Sequence, residues 1–196
     1  SVDVLDIVQI VGYIVDGNAD FDIACADNNG DGSVDVLDIV ALVNDIVNGR
    51  VAVDATSAKL IKSENALTLQ ADGYIGGVQM TLSHGADFSI ELSEAWLADS
   101  KTTGNMTTTL IIVNHPDKPM SEELFTYSGD FEIVDMIVAN SKGRVNVGAP
   151  TAFSLSEAYP NPFNPTTSLE LSVPMNGQVT VQVYSLMGQV VATLAN

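Results

Sequence analysis

Basic residues are scarce: 7 Lys and Arg stand against 25 Asp and Glu in 196 residues, for a net charge of −18. So acidic a chain is repelled by polyanions, which argues against nucleic acid and anionic membrane surfaces as partners. Cysteine is nearly absent. With Cys25 alone no internal disulfide framework exists, and its place just before an acidic loop reads as a small apolar packing residue, not a nucleophile. No apolar run is long enough for a membrane span, and no signal peptide begins at Ser1. Catalytic motifs are missing as well: there is no Gly-x-Ser-x-Gly, no His-Glu-x-x-His and no glycine-rich phosphate loop. His84 and His115 each sit beside a turn residue without a cysteine or a second histidine at ligand spacing, and read as solvated loop histidines. Glu91 with Glu94 and Glu122 with Glu123 are where a glycosidase-type acid pair would be sought, but a strand end and a loop make them surface carboxylates. Trp96, Tyr74 and Tyr127 read as core or edge aromatics in preference to a sugar-stacking platform. These residues are read as non-enzymatic.

The stretch that is rich in chemistry is Asp27-Asn28-Asn29-Gly30-Asp31-Gly32-Ser33-Val34-Asp35-Val36-Leu37-Asp38. Numbered from one to twelve, its oxygen-bearing side chains include positions 1, 3, 5, 9 and 12. Ca²⁺ is a hard cation that takes six to eight oxygens, and a twelve-residue loop of this spacing can wrap them around one point. Asp27, Asn29 and Asp31 are expected to supply side-chain oxygens and Ser33 its carbonyl. Asp35 acts directly or through a water, and Asp38 closes the set from the first turn of a helix. Gly32 falls at position 6, where the chain turns sharply. A polar turn that is acidic by chance is the plainer alternative, but its four carboxylates would repel one another with no cation between them.

The loop is repeated. Ser1–Gly17 and Ser33–Gly49 agree at 12 of 17 positions, beginning with an identical Ser-Val-Asp-Val-Leu-Asp-Ile-Val. Ser1, Asp3 and Asp6 thereby match loop positions 7, 9 and 12. They form a weak half-site, and the sequence is expected to be a fragment that starts within a metal loop. Val4, Leu5, Ile7, Val8, Val11, Ile14 and Val15 recur at helical spacing, and Val36, Leu37, Ile39, Val40, Val43, Ile46 and Val47 repeat them. Gly17 and Gly49 are placed as helix C-caps. Two short Val/Ile-rich helices cannot bury these stripes alone, so they are expected to pack on each other or on a neighbour.

A duplicated loop–helix unit with the Asp-x-Asn-x-Asp-Gly-x-Val-Asp-x-x-Asp pattern resembles a type I dockerin over residues 1–49. The resemblance implies an EF-hand-like module that folds on Ca²⁺ and docks onto a cohesin. Where many dockerins carry Ser/Thr pairs at loop positions 10 and 11, this chain has Val36 and Leu37, and Val4 and Leu5 in the half-repeat. Four large aliphatics at an outward face point to packing of the helices on the chain's own next domain.

Beyond Arg50 the period changes to two. Leu67–Ala71, Val78–Leu82 and Phe88–Leu92 alternate, Thr108–Val113 is nearly continuous and apolar, and Phe131–Val138 is apolar with polar interruptions. Asp72-Gly73, Gly76-Gly77, His84-Gly85, Thr103-Gly104-Asn105, Pro116–Pro119 and Ser128-Gly129 read as turns. The pattern predicts an antiparallel β-sandwich over 50–148, similar in length and strand pattern to cohesin-like and related carbohydrate-module sandwiches.

Prolines 160, 162 and 165 forbid helix at the start of the last block. Strands follow at Leu169–Val173, Gln178–Ser185 and Gln189–Leu194. The run Tyr-Pro-Asn-Pro-Phe-Asn-Pro-Thr-Thr from Tyr159, with Val-Tyr-Ser-Leu-Met-Gly-Gln-Val-Val-Ala-Thr-Leu from Val183, resembles the C-terminal sorting domain of type IX secretion cargo. That implies a small Ig-like domain over 149–196, here short of its usual strands, and an extracellular or cell-surface location. The expectation as a whole is a multidomain chain: a dockerin-like module, an antiparallel sandwich and an incomplete Ig-like domain. Its function is expected to be non-catalytic, as the calcium-binding structural or docking portion of a secreted modular protein. Its partners are its own sandwich or a cohesin-like domain, together with the secretion machinery. The alternative is the accessory tail of a secreted glycoside hydrolase or peptidase.

Overall fold

The computed structural model describes residues 4–17, 23–47, 53–104, 106–117 and 121–148, and in the last block 154–155, 158–159, 162, 165–169, 171–172, 180–185 and 187–195. The chain divides into two compact units, Ser1–Pro150 and Thr151–Asn196. It is mostly β, with two short helices. Among the described residues no helix is long and apolar enough to cross a membrane.

In the first unit, helix α1 spans Val4–Asp16 and helix α2 Val36–Ile46, with a short 3-10 turn at Ile23–Cys25 between them. Ten strands follow: β1 Ser57–Lys62, β2 Ala66–Ala71, β3 Gly77–His84, β4 Ser89–Leu92, β5 Leu97–Thr103, β6 Thr107–Val113, β7 Glu123–Ser128, β8 Phe131–Asn140, β9 Gly143–Arg144 and β10 Asn146–Gly148. They make two five-stranded sheets, β10-β1-β2-β7-β4 and β5-β6-β3-β8-β9. All pairings are antiparallel except β1 with β10. Between the sheets lies a core built on Leu60, Leu67, Leu69, Val78, Met80, Leu82, Leu110, Ile112, Leu124, Phe125 and Val138. In β8 the register slips by one residue opposite Thr81 and Leu82, and Val134, the residue passed over, is exposed.

The second sheet is covered on its other face too. Ile7, Ile10, Val11 and Val15 of α1 and Val36, Ile39, Val40 and Val43 of α2 share a second core with Ile111 and Val113 of β6 and Ile137 and Ala139 of β8. This explains why Leu110-Ile111-Ile112-Val113 is apolar without alternation: both faces of the strand are buried. The segments 1–49 and 50–148 therefore lie in the same compact unit, with a shared interior. Lys101 on β5 also pairs with Asp16 at the end of α1, and Gly17 takes the left-handed conformation (φ 72°) that ends that helix. Gly49 lies outside the described residues.

Several sequence readings change. Gly76-Gly77 is no open turn. Gly77 begins β3 and both glycines lie under α2, where a Cβ on Gly76 would sit 2.6 Å from Val40 Cγ1 and one on Gly77 2.5 Å from Val36 Cγ2. The glycines are there because nothing larger lets the helix approach the sheet. Of the four aliphatics expected to pack on the neighbouring sandwich, Val36 is fully buried and Leu37 half-buried, as expected, but Val4 and Leu5 are exposed. Cys25 is exposed and Ala26 takes the buried place beside it. His84 is buried, bonded to the Gly85 carbonyl and Thr108 Oγ1 at 2.8 Å each and stacked on Phe88. Phe88 closes a cluster with Tyr127 and Phe131 that gives the histidine an apolar wall.

Around the start of the sandwich, half-buried Asp54 would be pushed up by desolvation. Hydrogen bonds from the Ser141 hydroxyl and amide, with Lys142 alongside, outweigh that and hold its carboxyl below the ordinary range. The amide of Ser57, with the hydroxyl and amide of Thr56, holds Asp72 far lower. Nearby Tyr74, desolvated and facing the Asp54 charge, is pushed up to about 12.

The second unit is described by its pairings: β11 (Ser154–Leu155) with β12 (Leu171–Ser172), β13 (Val181–Tyr184) with β14 (Val190–Ala195), and a bridge between Tyr159 and Ser168. Gly188 (φ 77°) turns the β13–β14 hairpin as Met187-Gly188 predicts. The expected turn at Met175-Asn176-Gly177 lies outside the described residues.

If the helices share the sandwich's cooperative core, truncating the seam destabilises the whole unit. Val36→Ala is expected to cost about 2 kcal/mol, and Gly77→Val, which forces helix and sheet apart, a further-reaching loss of about 1–3 kcal/mol. Urea unfolding followed by a sandwich probe such as Trp96 fluorescence checks this. Unchanged midpoints in both variants would separate the helices from the sandwich.

Candidate metal centre

The 27–38 loop joins the 3-10 turn to α2, and its conformation follows from short-range side-chain bonds to the backbone. Asp27 accepts through Oδ1 from the amides of Gly30 (2.8 Å) and Asp31 (3.1 Å), and through Oδ2 from Gly32 (3.0 Å). Asn29 Oδ1 accepts from the Asp31 amide and Asp31 Oδ1 from the Ser33 amide, at 2.8 and 2.9 Å. The Asn29 side-chain amide donates to Asp31 Oδ2 at 3.0 Å. These Asx-type bonds turn the chain at each step. Gly30 (φ 74°) and Gly32 (φ 90°) supply the left-handed conformations the turns need.

The far end is a capping box. Asp35 is the N-cap of α2 and accepts from the Leu37 amide at 2.7 Å, while Asp38 Oδ2 accepts from the Asp35 amide at 2.9 Å. Asp38 Oδ1 meanwhile reaches back across the loop to the amides of Asn28 (2.8 Å) and Asn29 (3.1 Å). Asp38 is thus the clasp between the second and third positions of the loop and its last, and its side chain has no solvent exposure. Burial pushes the Asp35 carboxyl up. The Leu37 amide opposes this, the charges of Asp38 and Asp31 add to the rise, and Arg144 on β9 counters it.

Of the six residues that the loop spacing singles out, Asp38 is buried, Asp27 and Asp35 are half-buried, and Asn29, Asp31 and Ser33 are exposed. Their donors are all oxygens, and burial, with a smaller contribution from the like charges of Asp38 and Asp31, disfavours ionisation of Asp35. A hard divalent cation suits that donor chemistry, and a thiophilic metal does not. Among the described residues no three His, Cys, Asp or Glu side chains form a ready metal cluster; the loop carboxylates turn onto the loop's own amides. Of the half-site, Ser1 and Asp3 lie outside the described residues, and Asp6 is in the first turn of α1.

The sequence reading missed one residue next to the loop. Gln79 Oε1 on β3 accepts from the Val36 amide at 3.0 Å. Alternation along Val78-Gln79-Met80 marks it as outward-facing, which it is, but the outward face lies beneath α2. Elsewhere, Ser93 Oγ donates to Glu123 at 3.3 Å, and Glu91, Glu94 and Glu123 line a shallow hollow at the edge of the first sheet. Trp96 is half-buried, 5.2 Å from the His115 ring. No family model, curated protein or solved structure matches the chain.

Asp38→Asn tests the clasp in metal-free protein. An amide replaces one acceptor by a donor that faces backbone N–H groups, so the variant is expected to lose about 2 kcal/mol of stability in the presence of a chelator. Relief of carboxylate repulsion would instead raise the unfolding midpoint, and that result would show that the clasp does not hold the loop.

Proposed function

We propose that this chain is a non-catalytic, calcium-binding structural or docking portion of a secreted, surface-associated modular protein. Asp27, Asn29, Asp31, the Ser33 carbonyl, Asp35 and Asp38 would hold one Ca²⁺. Calcium would neutralise the crowded carboxylates and fix the start of α2. The observation that carries this reading is the loop's closure: Asp27 at its first position and Asp38 at its last both turn inward, and the side-chain oxygens of Asn29, Asp31 and Asp35 stand between them in sequence. The half-site of Ser1, Asp3 and Asp6 would bind weakly, with too few ligands to compete.

The wider setting rests on the sequence resemblances. Residues 1–49 would be a dockerin-like element, 50–148 a cohesin-like sandwich, and 149–196 part of an Ig-like sorting domain exported by a type IX-like route. The helices bury their apolar stripes on their own sandwich, which favours a rigid internal joint over a helix pair held open for a separate cohesin. A role as the accessory tail of a secreted hydrolase would use the same residues in the same way.

Titration calorimetry of the intact chain is expected to find one calcium site, with a dissociation constant in the roughly 10⁻⁷ to 10⁻³ M span of such loops. Asp31→Ala should abolish the heat, and Asp6→Ala should leave it unchanged. No heat from the wild-type chain would overturn the calcium reading, and two tight sites would overturn the assignment to a single loop.

A further inference from the structure

Gln79 is a polar side chain on the helix-facing side of β3, between Gly77 and Thr81 on the same face. Its cross-strand neighbours are Ile111 on β6 and Ile137 on β8, both buried beneath the helices. A carboxamide in such surroundings needs a partner. Gln79 Oε1 finds it in the amide of Val36. That amide belongs to the first residue of α2 and is one of those that helix geometry leaves without an acceptor inside the helix. In sequence it stands directly after Asp35 and two residues before Asp38, the last two side-chain ligands of the proposed set.

The neighbouring contacts act on the same turn. Val36 and Val40 settle over Gly77 and Gly76 at a separation no Cβ would permit, which fixes the height of the helix above the sheet. Gln79 adds a direction, since its single bond to Val36 resists rotation of the helix start about its axis. The first three amides of α2 are thereby divided between the loop and the sandwich. Asp35 takes Leu37 through its side chain and Asp38 through its carbonyl, and the sandwich takes Val36.

We propose that Gln79 is a positioning residue for the calcium loop: through the Val36 amide the sandwich sets the orientation of Asp35 and Asp38, so cation binding at the loop and the stability of the sandwich are one coupled equilibrium. The proposal rests on the calcium reading given above. Coupling of this kind is reciprocal. Whatever loosens the Gln79 bond weakens calcium, and calcium tightens β3, a strand that holds no metal ligand.

Calorimetry with CaCl₂ on the full chain and on Gln79→Leu and Gln79→Glu tests one direction. Gln79→Leu, which keeps the bulk and loses the acceptor, is expected to bind calcium roughly three- to tenfold more weakly, the loss of one hydrogen bond. Gln79→Glu keeps an acceptor oxygen and should stay within about threefold of the wild type. Amide hydrogen exchange of the unmodified protein tests the other direction and needs no variant: adding calcium should slow exchange in β3, at Met80 and Leu82, as well as in the loop. Wild-type affinity in Gln79→Leu, or protection confined to residues 27–38, would overturn the proposal while leaving the calcium reading intact. A wild-type chain that takes up no calcium at all would remove both.

Discussion

A carboxylate taken wholly out of water must be given donors or a cation, and in this chain that carboxylate is Asp38. Its two oxygens gather the amides of Asn28, Asn29 and Asp35. The loop's two ends are thereby joined, and α2 starts where they meet. The rest of the first unit is built outward from that point. Asp35 caps the helix, Val36 and Val40 seat it on the glycine pair, and Ile39 and Val43 fill the space between helix and sheet. A Val- and Ile-rich segment has no great helix propensity of its own. Its helix is held by the cap at one end and by the sheet along one side.

The sheet in turn depends on the helices. Ile111, Val113, Ile137 and Ala139 would form an apolar face in water if the helices were absent. Such a face invites association, and here α1 and α2 occupy it. The sandwich core and the helix seam are then two layers of one structure, with β6 and β8 contributing side chains to both. Loop chemistry and sandwich stability meet at a few neighbouring residues of β3, namely Gly77 and Gln79 with Gly76 just before them.

Much of this was legible in the sequence, and the reason differs by element. The loop is legible because turn formation is a local property: Gly32 takes the positive φ that its sharp turn implies, and Asp35 and Asp38 cap the helix the periodicity predicts. Strands β2, β3, β6 and β8 are legible from apolar pattern. Strands β1, β5 and β7 were not, because Ser57–Lys62 and Leu97–Thr103 alternate poorly and β5 is a polar edge, while Glu123–Ser128 is short. What no local pattern carries is which face a neighbouring element covers. Gly76-Gly77 looks like a turn until α2 is laid on it, Gln79 looks solvated for the same reason, and His84 looks like a loop residue until Phe88 and Thr108 close around it. The continuous apolar run of β6 did hold the clue, since a strand of a one-sided sheet would alternate.

The most direct test of calcium as the organising cation is the thermal unfolding midpoint of the intact chain in calcium and in EDTA. Metal bound only by the folded state at a hundred times its dissociation constant adds about 2.7 kcal/mol, which corresponds to a rise of roughly 5–10 °C for a unit of this size. A midpoint several degrees higher in calcium, carried by the sandwich signal as well as the helical one, is the result expected. A midpoint indifferent to EDTA would contradict it.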